Sequence, residues 1–257
     1  MYEAMMIAAT GLQNQQRRLD TIANNVANVN STAYKSVRLD FKDAMYTAGI
    51  VPARPRTPDG NQQKGHGVMI AGIAKDFSTG NFQTTERSLD VAVEGEGFFE
   101  LGDGDGNIVY TRNGSFDLSA EDDGNYLVNG EGYYVHSADG DRITIPYGTD
   151  TIKVNEDGSI SFIAYEEETT IPLCVYTFRN ITGLLSTGNG TYTESIASGD
   201  KLPVSNTVIR QGALEGSNVN ISEEMTRLIR TQRTFQLASR ALSTADEMEG
   251  IANNMKR

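Results

Sequence analysis

Few residues in this sequence have the types and spacing that chemistry requires. Two histidines occur, His66 in a Pro-rich stretch and His136 beside a turn, and neither is spaced to pair with a nucleophile. Cys174 is the single cysteine, so no intrachain disulfide can form. Its setting in the apolar run IPLCVYTF predicts a small buried strand residue rather than a nucleophile. The loop DGDGN at residues 103–107 resembles the start of a calcium loop. That pattern needs Gly at its sixth position and Glu at its twelfth, where this chain has Ile108 and Gly114, so a hairpin turn is expected instead. GEGFF at 95–99 lacks the third glycine and the strand-to-helix context of a dinucleotide fingerprint. Carboxylates are abundant, but spacing alone does not separate a glycosidase pair from a solvated acidic face. The expectation is a protein with no catalytic residue, no cofactor and no metal.

The elements around these residues are more informative. In the first thirty residues, Met5, Ala8, Leu12, Gln15, Leu19, Ile22, Val26 and Val29 recur at alternating spacings of three and four. On a helix they form one narrow seam of coiled-coil type, too thin to be a core by itself. The comparable stretch lies at the other end, where Ile221, Met225, Leu228, Phe235 and Leu242 repeat with Ala238, Ala241 and Ala245. Asn220 followed by Glu223 predicts a capping box for that second helix. Asn24, Asn25, Asn28 and Asn30 are unusual in a helix. They fit either a fraying C-terminus or hydrogen bonds to neighbouring helices at the crowded wall of an assembly, and the second is the expectation.

Between the helices the character changes. Residues 49–67 hold three of the six prolines and no hydrophobic period, a loop or long hairpin tip that is either functional or mobile. Residues 90–200 alternate apolar segments with GDGDGN, EDDGN, SADGD and NEDG, the signals of tight hairpins. The fold class expected is α+β: terminal helices in a coiled-coil-like hairpin, an extended linker region, and an antiparallel β-rich middle domain.

Charge follows the same division. Residues 1–45 carry five basic and four acidic side chains and residues 211–257 carry six of each, so of the overall −12 the middle, residues 46–210, carries −13. Near-neutral ends suit packing on each other and on copies of themselves, and an acidic middle suits a solvated surface. Without a basic patch, nucleic-acid binding is not expected. The sequence has no apolar run long enough to span a membrane and no basic n-region followed by an apolar h-region, so a cleaved secretory signal is not expected. The pattern alone leaves two architectures open. Contacts that repeat without closing would build a helical filament, whereas a two-helix stalk could carry a ligand- or carbohydrate-binding β-domain.

The order of motifs favours the filament. ATGLQNQQRRLDTIANNVANVNSTAYKS, with its Tyr34–Lys35 pair, resembles the N-terminal signature of flagellar axial proteins, the rod and hook family. DVAVEGEGFFEL, YTRNGSF, GNYLVNGEGYYV and ITIP follow in that family's order, and GALEGSNVNISEEMTRLIRTQRTFQLASRALSTADEM matches its end. ATGL, the total length and the insert after DAMY are most similar to distal rod members; hook and proximal rod proteins are the alternatives within the family.

The resemblance implies an inner core built from helices 1–30 and 220–257, a linker and long hairpin at 31–89, an outer β-domain at 90–200 and a return linker at 201–219. It implies a hollow helical homopolymer whose partners are further copies, neighbouring rod and hook proteins, the flagellar type III export apparatus and surrounding ring proteins. It places the protein in the basal body, in the periplasm or cell-wall space. The assembly residues expected are Leu12, Leu19, Ile22, Val26 and Val29 with Ile221, Met225, Leu228, Phe235 and Leu242.

Overall fold

The computed structural model describes residues 2–44, 47–48, 63–64, 67–104, 106–121, 124–149, 151–164, 167–204 and 207–255. Most of the Pro-rich insert, with His66, lies outside the described residues. The protein is α+β, with helix α1 (Tyr2–Ala27) at one end and α2 (Ile221–Asn254) at the other. No described helix is long and apolar enough to cross a membrane. The chain forms two compact units, one of residues 1–27, 37–75 and 220–257, the other of residues 28–36 and 76–219.

In the first unit α1 and α2 pack on one another, and α1 also packs on an antiparallel strand pair, Val37–Asp43 with Val68–Lys75. Polar side chains make much of that second contact. Asn14 donates its amide to the Val68 carbonyl at 2.6 Å, and the Arg18 guanidinium lies 5.8 Å from the Phe41 ring centroid. Asn25 is 2% exposed, donating to the Val37 carbonyl at 2.9 Å and accepting from the Val37 N–H at 3.0 Å. It mimics one rung of a β-ladder and fixes where the strand leaves the helix. The expectation that Asn25 bonds to a neighbouring helix is thereby corrected: a buried amide needs both partners, and this one finds them in a strand of its own chain.

The helix stops two residues earlier than the seam predicts. The Ser31 N–H bonds the Asn28 carbonyl at 3.2 Å, the Ser31 hydroxyl bonds Asn28 Oδ1 at 3.1 Å, and Ala33 adopts φ of 55°. These local bonds substitute a turn for further helix, so Val29 lies beyond α1, in the turn. At the other end Asn220 supplies its half of the expected capping box, its Oδ1 accepting from the N–H groups of Ser222 at 3.1 Å and Glu223 at 3.4 Å. The Glu223 carboxylate pairs with Arg227 at 2.6 Å.

The second unit is β-rich, and its strand pairs are antiparallel. Strand Phe98–Gly102 is buried along its whole length. Phe99 and Leu101 join an aliphatic core with Val93, Val135, Ile145 and Ile160, while Phe98 enters an aromatic cluster with Tyr110, Tyr176, Phe178 and Tyr192. Both faces are covered, which is why FFEL shows no alternation. Asp103 and Asn107 clasp the next turn, Asn107 donating its backbone N–H at 2.9 Å and its amide at 2.8 Å to the two carboxylate oxygens. DGDGN thus closes a hairpin onto strand Ile108–Thr111. Asn189 and Gly190, with φ of 43° and 76°, turn another hairpin in the left-handed region that Asn-Gly pairs favour. Cys174 differs from expectation: it is half-buried against the aromatic cluster, one residue before strand Val175–Phe178. His136 Nδ1 lies 3.4 Å from the buried Glu100 carboxylate, which also takes Lys201 Nζ at 2.5 Å.

Candidate assembly interface

Three charged side chains from distant parts of the chain meet inside the β-rich unit. Lys35 Nζ donates to Glu215 Oε1 at 2.7 Å, and Arg112 Nε donates to Glu215 Oε2 at 2.7 Å. Further donors of the two cations reach backbone carbonyls. Lys35 reaches the Ser78 carbonyl at 2.7 Å, and Arg112 reaches the carbonyls of Gly97 at 2.9 Å, Gly95 at 2.8 Å and Val93 at 3.2 Å. The Gly80 N–H, donating to Oε1 at 2.8 Å, adds a third bond to the Glu215 carboxylate. Buried charges of this kind hold only when paired and fully hydrogen-bonded. Lys35 belongs to the AYK motif, Arg112 to YTRNGSF and Glu215 to GALEGSN. The close approach of the segments needs small residues: a Cβ on Gly80 would lie 2.0 Å from the Gly216 carbonyl oxygen, and one on Gly114 would lie 1.8 Å from that of Val91.

Burial, the largest influence on Glu215, pushes its pKa up, but Arg112 and then Lys35 pull harder and hold it below the ordinary 4.5. Burial holds the Lys35 ammonium below its usual range despite the attraction of Glu215. Because the Glu215 pKa is depressed by folding, its stabilisation is complete above the unfolded value and disappears as pH falls through the folded one. Thermal melts of the β-rich unit should therefore fall steadily as pH drops below 4.5, and Glu215→Gln should flatten that acid limb. An unchanged limb in the variant would assign it to other carboxylates.

The helical unit carries the expected seam in modified form. Ile22 is buried, and Leu12, Leu19 and Val26 are half-buried on α1. On α2 the shielded positions are Glu224, Leu228, Thr231, Phe235, Ala238, Leu242 and Ala245, an unbroken alternation of four and three. Ile221 and Met225 were expected on this seam; they are instead 49% and 43% exposed, because Glu224 takes the inward place in the first turn. Glu224 and Thr231 escaped the apolar count through their polarity. Arg227 Nη1 at 2.7 Å neutralises Glu224, and the Thr231 hydroxyl bonds the Arg227 carbonyl at 2.8 Å. Away from the seam, Ile229, Leu237, Met248 and Ile251 stay exposed, Leu237 at 67%. Among the described residues no group of three or more His, Cys, Asp or Glu side chains is disposed to hold a metal ion.

Three family models match the chain: a flagella basal body rod protein model over residues 5–35, a flagellar hook protein FlgE/F/G D1 domain over 92–162, and a flagellar basal body rod FlgEFG protein C-terminal model over 210–255. Each region supplies one member of the buried ion cluster. Among curated proteins the chain is similar to the flagellar basal-body rod protein FlgG of Borreliella burgdorferi, 38% identical over all of both chains. FlgG of Buchnera aphidicola from Acyrthosiphon pisum is 36% identical over 96% of this chain and 97% of its own length. FlgG of Bacillus subtilis is 35% identical over all of both. Sharing that likeness from end to end, and joining all three matched regions through one buried carboxylate, the chain belongs to the FlgG family of flagellar basal-body rod proteins, structural subunits of the rod.

Proposed function

We propose that this subunit polymerises into a hollow helical shaft that carries torque from motor to hook. In this reading α1 and α2 pair as a coiled coil in the inner wall, and the acidic β-rich unit faces outward. Neighbouring rod and hook proteins, and the rings around the rod, are its further partners. It reaches the basal body, in the periplasm or cell-wall space, through the flagellar type III apparatus without a cleaved signal. Force then passes through many copies of the same contacts and needs no chemical step.

One observation carries this reading. The α2 seam is already occupied within the subunit, yet Ile229, Leu237, Met248 and Ile251 remain in water. Burying such side chains contributes about 1.5–3 kcal/mol each, and a contact repeated in every subunit multiplies that gain along the polymer. Sedimentation velocity over rising concentration, with electron microscopy of the heavy fraction, tests the proposal. Growth into rods is expected; a monodisperse monomer throughout would favour the binding module on a stalk.

A further inference from the structure

The β-rich unit is continuous with the helical unit at four places, after Ala27 and Ser36 and before Asp76 and Asn220. Three of the four meet at one side chain. Asn218, two residues before the last exit, accepts from the Ser36 N–H with Oδ1 at 2.8 Å. Its amide donates to the Asp76 carbonyl at 2.8 Å and to Ser78, at the carbonyl (3.2 Å) and the hydroxyl (3.1 Å). Its own N–H bonds the Tyr34 carbonyl at 3.3 Å, and the Asp76 N–H bonds the Ser36 carbonyl at 2.9 Å. The buried Lys35–Glu215 pair joins the same three segments, through the Lys35 bond to the Ser78 carbonyl and the Gly80 N–H bond to Glu215. An amide is suited to this position because it presents an acceptor and two donors from one planar group. Aspartate, serine and glutamine each lack a donor, an arm or the right reach.

We propose that Asn218 is a positioning residue for load: it fastens three exits of the β-rich unit into one block, so that twist passes through them together rather than through independent tethers. This rests on the reading of the protein as a torque-bearing rod subunit. The test uses Asn218→Ala and Asn218→Asp in the full chain. Aspartate keeps an acceptor for Ser36 but loses the donors to Asp76 and Ser78.

Amide hydrogen exchange should accelerate roughly tenfold at Ser36 in the alanine variant, where that N–H loses its acceptor on Asn218. It should also accelerate at Asp76 in both variants, because its N–H bond to the Ser36 carbonyl opens more often once the exits are unfastened, while Phe98–Gly102 keeps its protection. Rods isolated from cells carrying either variant should assemble but show a shorter persistence length. Three results would overturn the proposal: unchanged exchange at Asp76, rods as stiff as wild type, or lost protection in Phe98–Gly102, which would make Asn218 a support of the core. If wild-type subunits form no rods, the assembly reading fails and the load-bearing role with it, while the exchange data still decide whether Asn218 holds the exits.

Discussion

Glu215→Gln should destabilise the β-rich unit by about 3–5 kcal/mol, the cost of breaking a buried ion pair from one side. The substitution preserves shape and leaves Lys35 and Arg112 buried with carbonyl partners but without a countercharge. Lys35→Met should cost less, because the Arg112–Glu215 pair at 2.7 Å survives it and the Ser78 carbonyl loses only one donor. Urea denaturation followed by tyrosine fluorescence reads the effect, since the chain has no tryptophan and Tyr110, Tyr176 and Tyr192 lie in the aromatic cluster of that unit. A loss under about 1 kcal/mol, the size of an ordinary exposed pair, would mean the cluster is incidental to the fold.

Leu19→Asp on α1 or Leu228→Asp on α2 should abolish rod formation while the β-rich unit keeps its melting transition. Both side chains are half-buried on faces that pack within the helical unit. Replacing one loses about 1.5–3 kcal/mol of apolar burial and adds the desolvation of a carboxylate, of which the α2 seam already shields one in Glu224. Far-ultraviolet circular dichroism should record lost helix, and micrographs should show no rods. Normal rods from either variant would contradict the role given to the seam.

How much of this could be read in advance depends on the range of the interactions. The α1 seam, the Asn220 cap and the Asp-Gly hairpins are local, and spacing reveals them. The Lys35–Arg112–Glu215 cluster is not local. Lys35, Arg112 and Glu215 stand far apart in sequence, and a charged side chain by itself suggests solvent; only contacts far along the chain enclose all three. The one signal for it was that each lies in a separate motif of the family resemblance. Asn25 misled for the related reason that its partner, Val37, is in a strand packed on the same helix. Val29 continued the period but not the helix, since bonds between Asn28 and Ser31 turn the chain first. Glu224 displaced Met225 from the seam because Arg227 makes a shielded carboxylate tolerable there.

The central claim is that exposed apolar residues of α2 join subunit to subunit. Leu237 tests it most directly, because it is 67% exposed and lies off the seam that shields α2 within its own subunit. Side-by-side electron microscopy and sedimentation of wild type and Leu237→Asp should show rods from the first and only monomers from the second, with identical helix content and melting. Rods of equal number and length from Leu237→Asp would contradict the account.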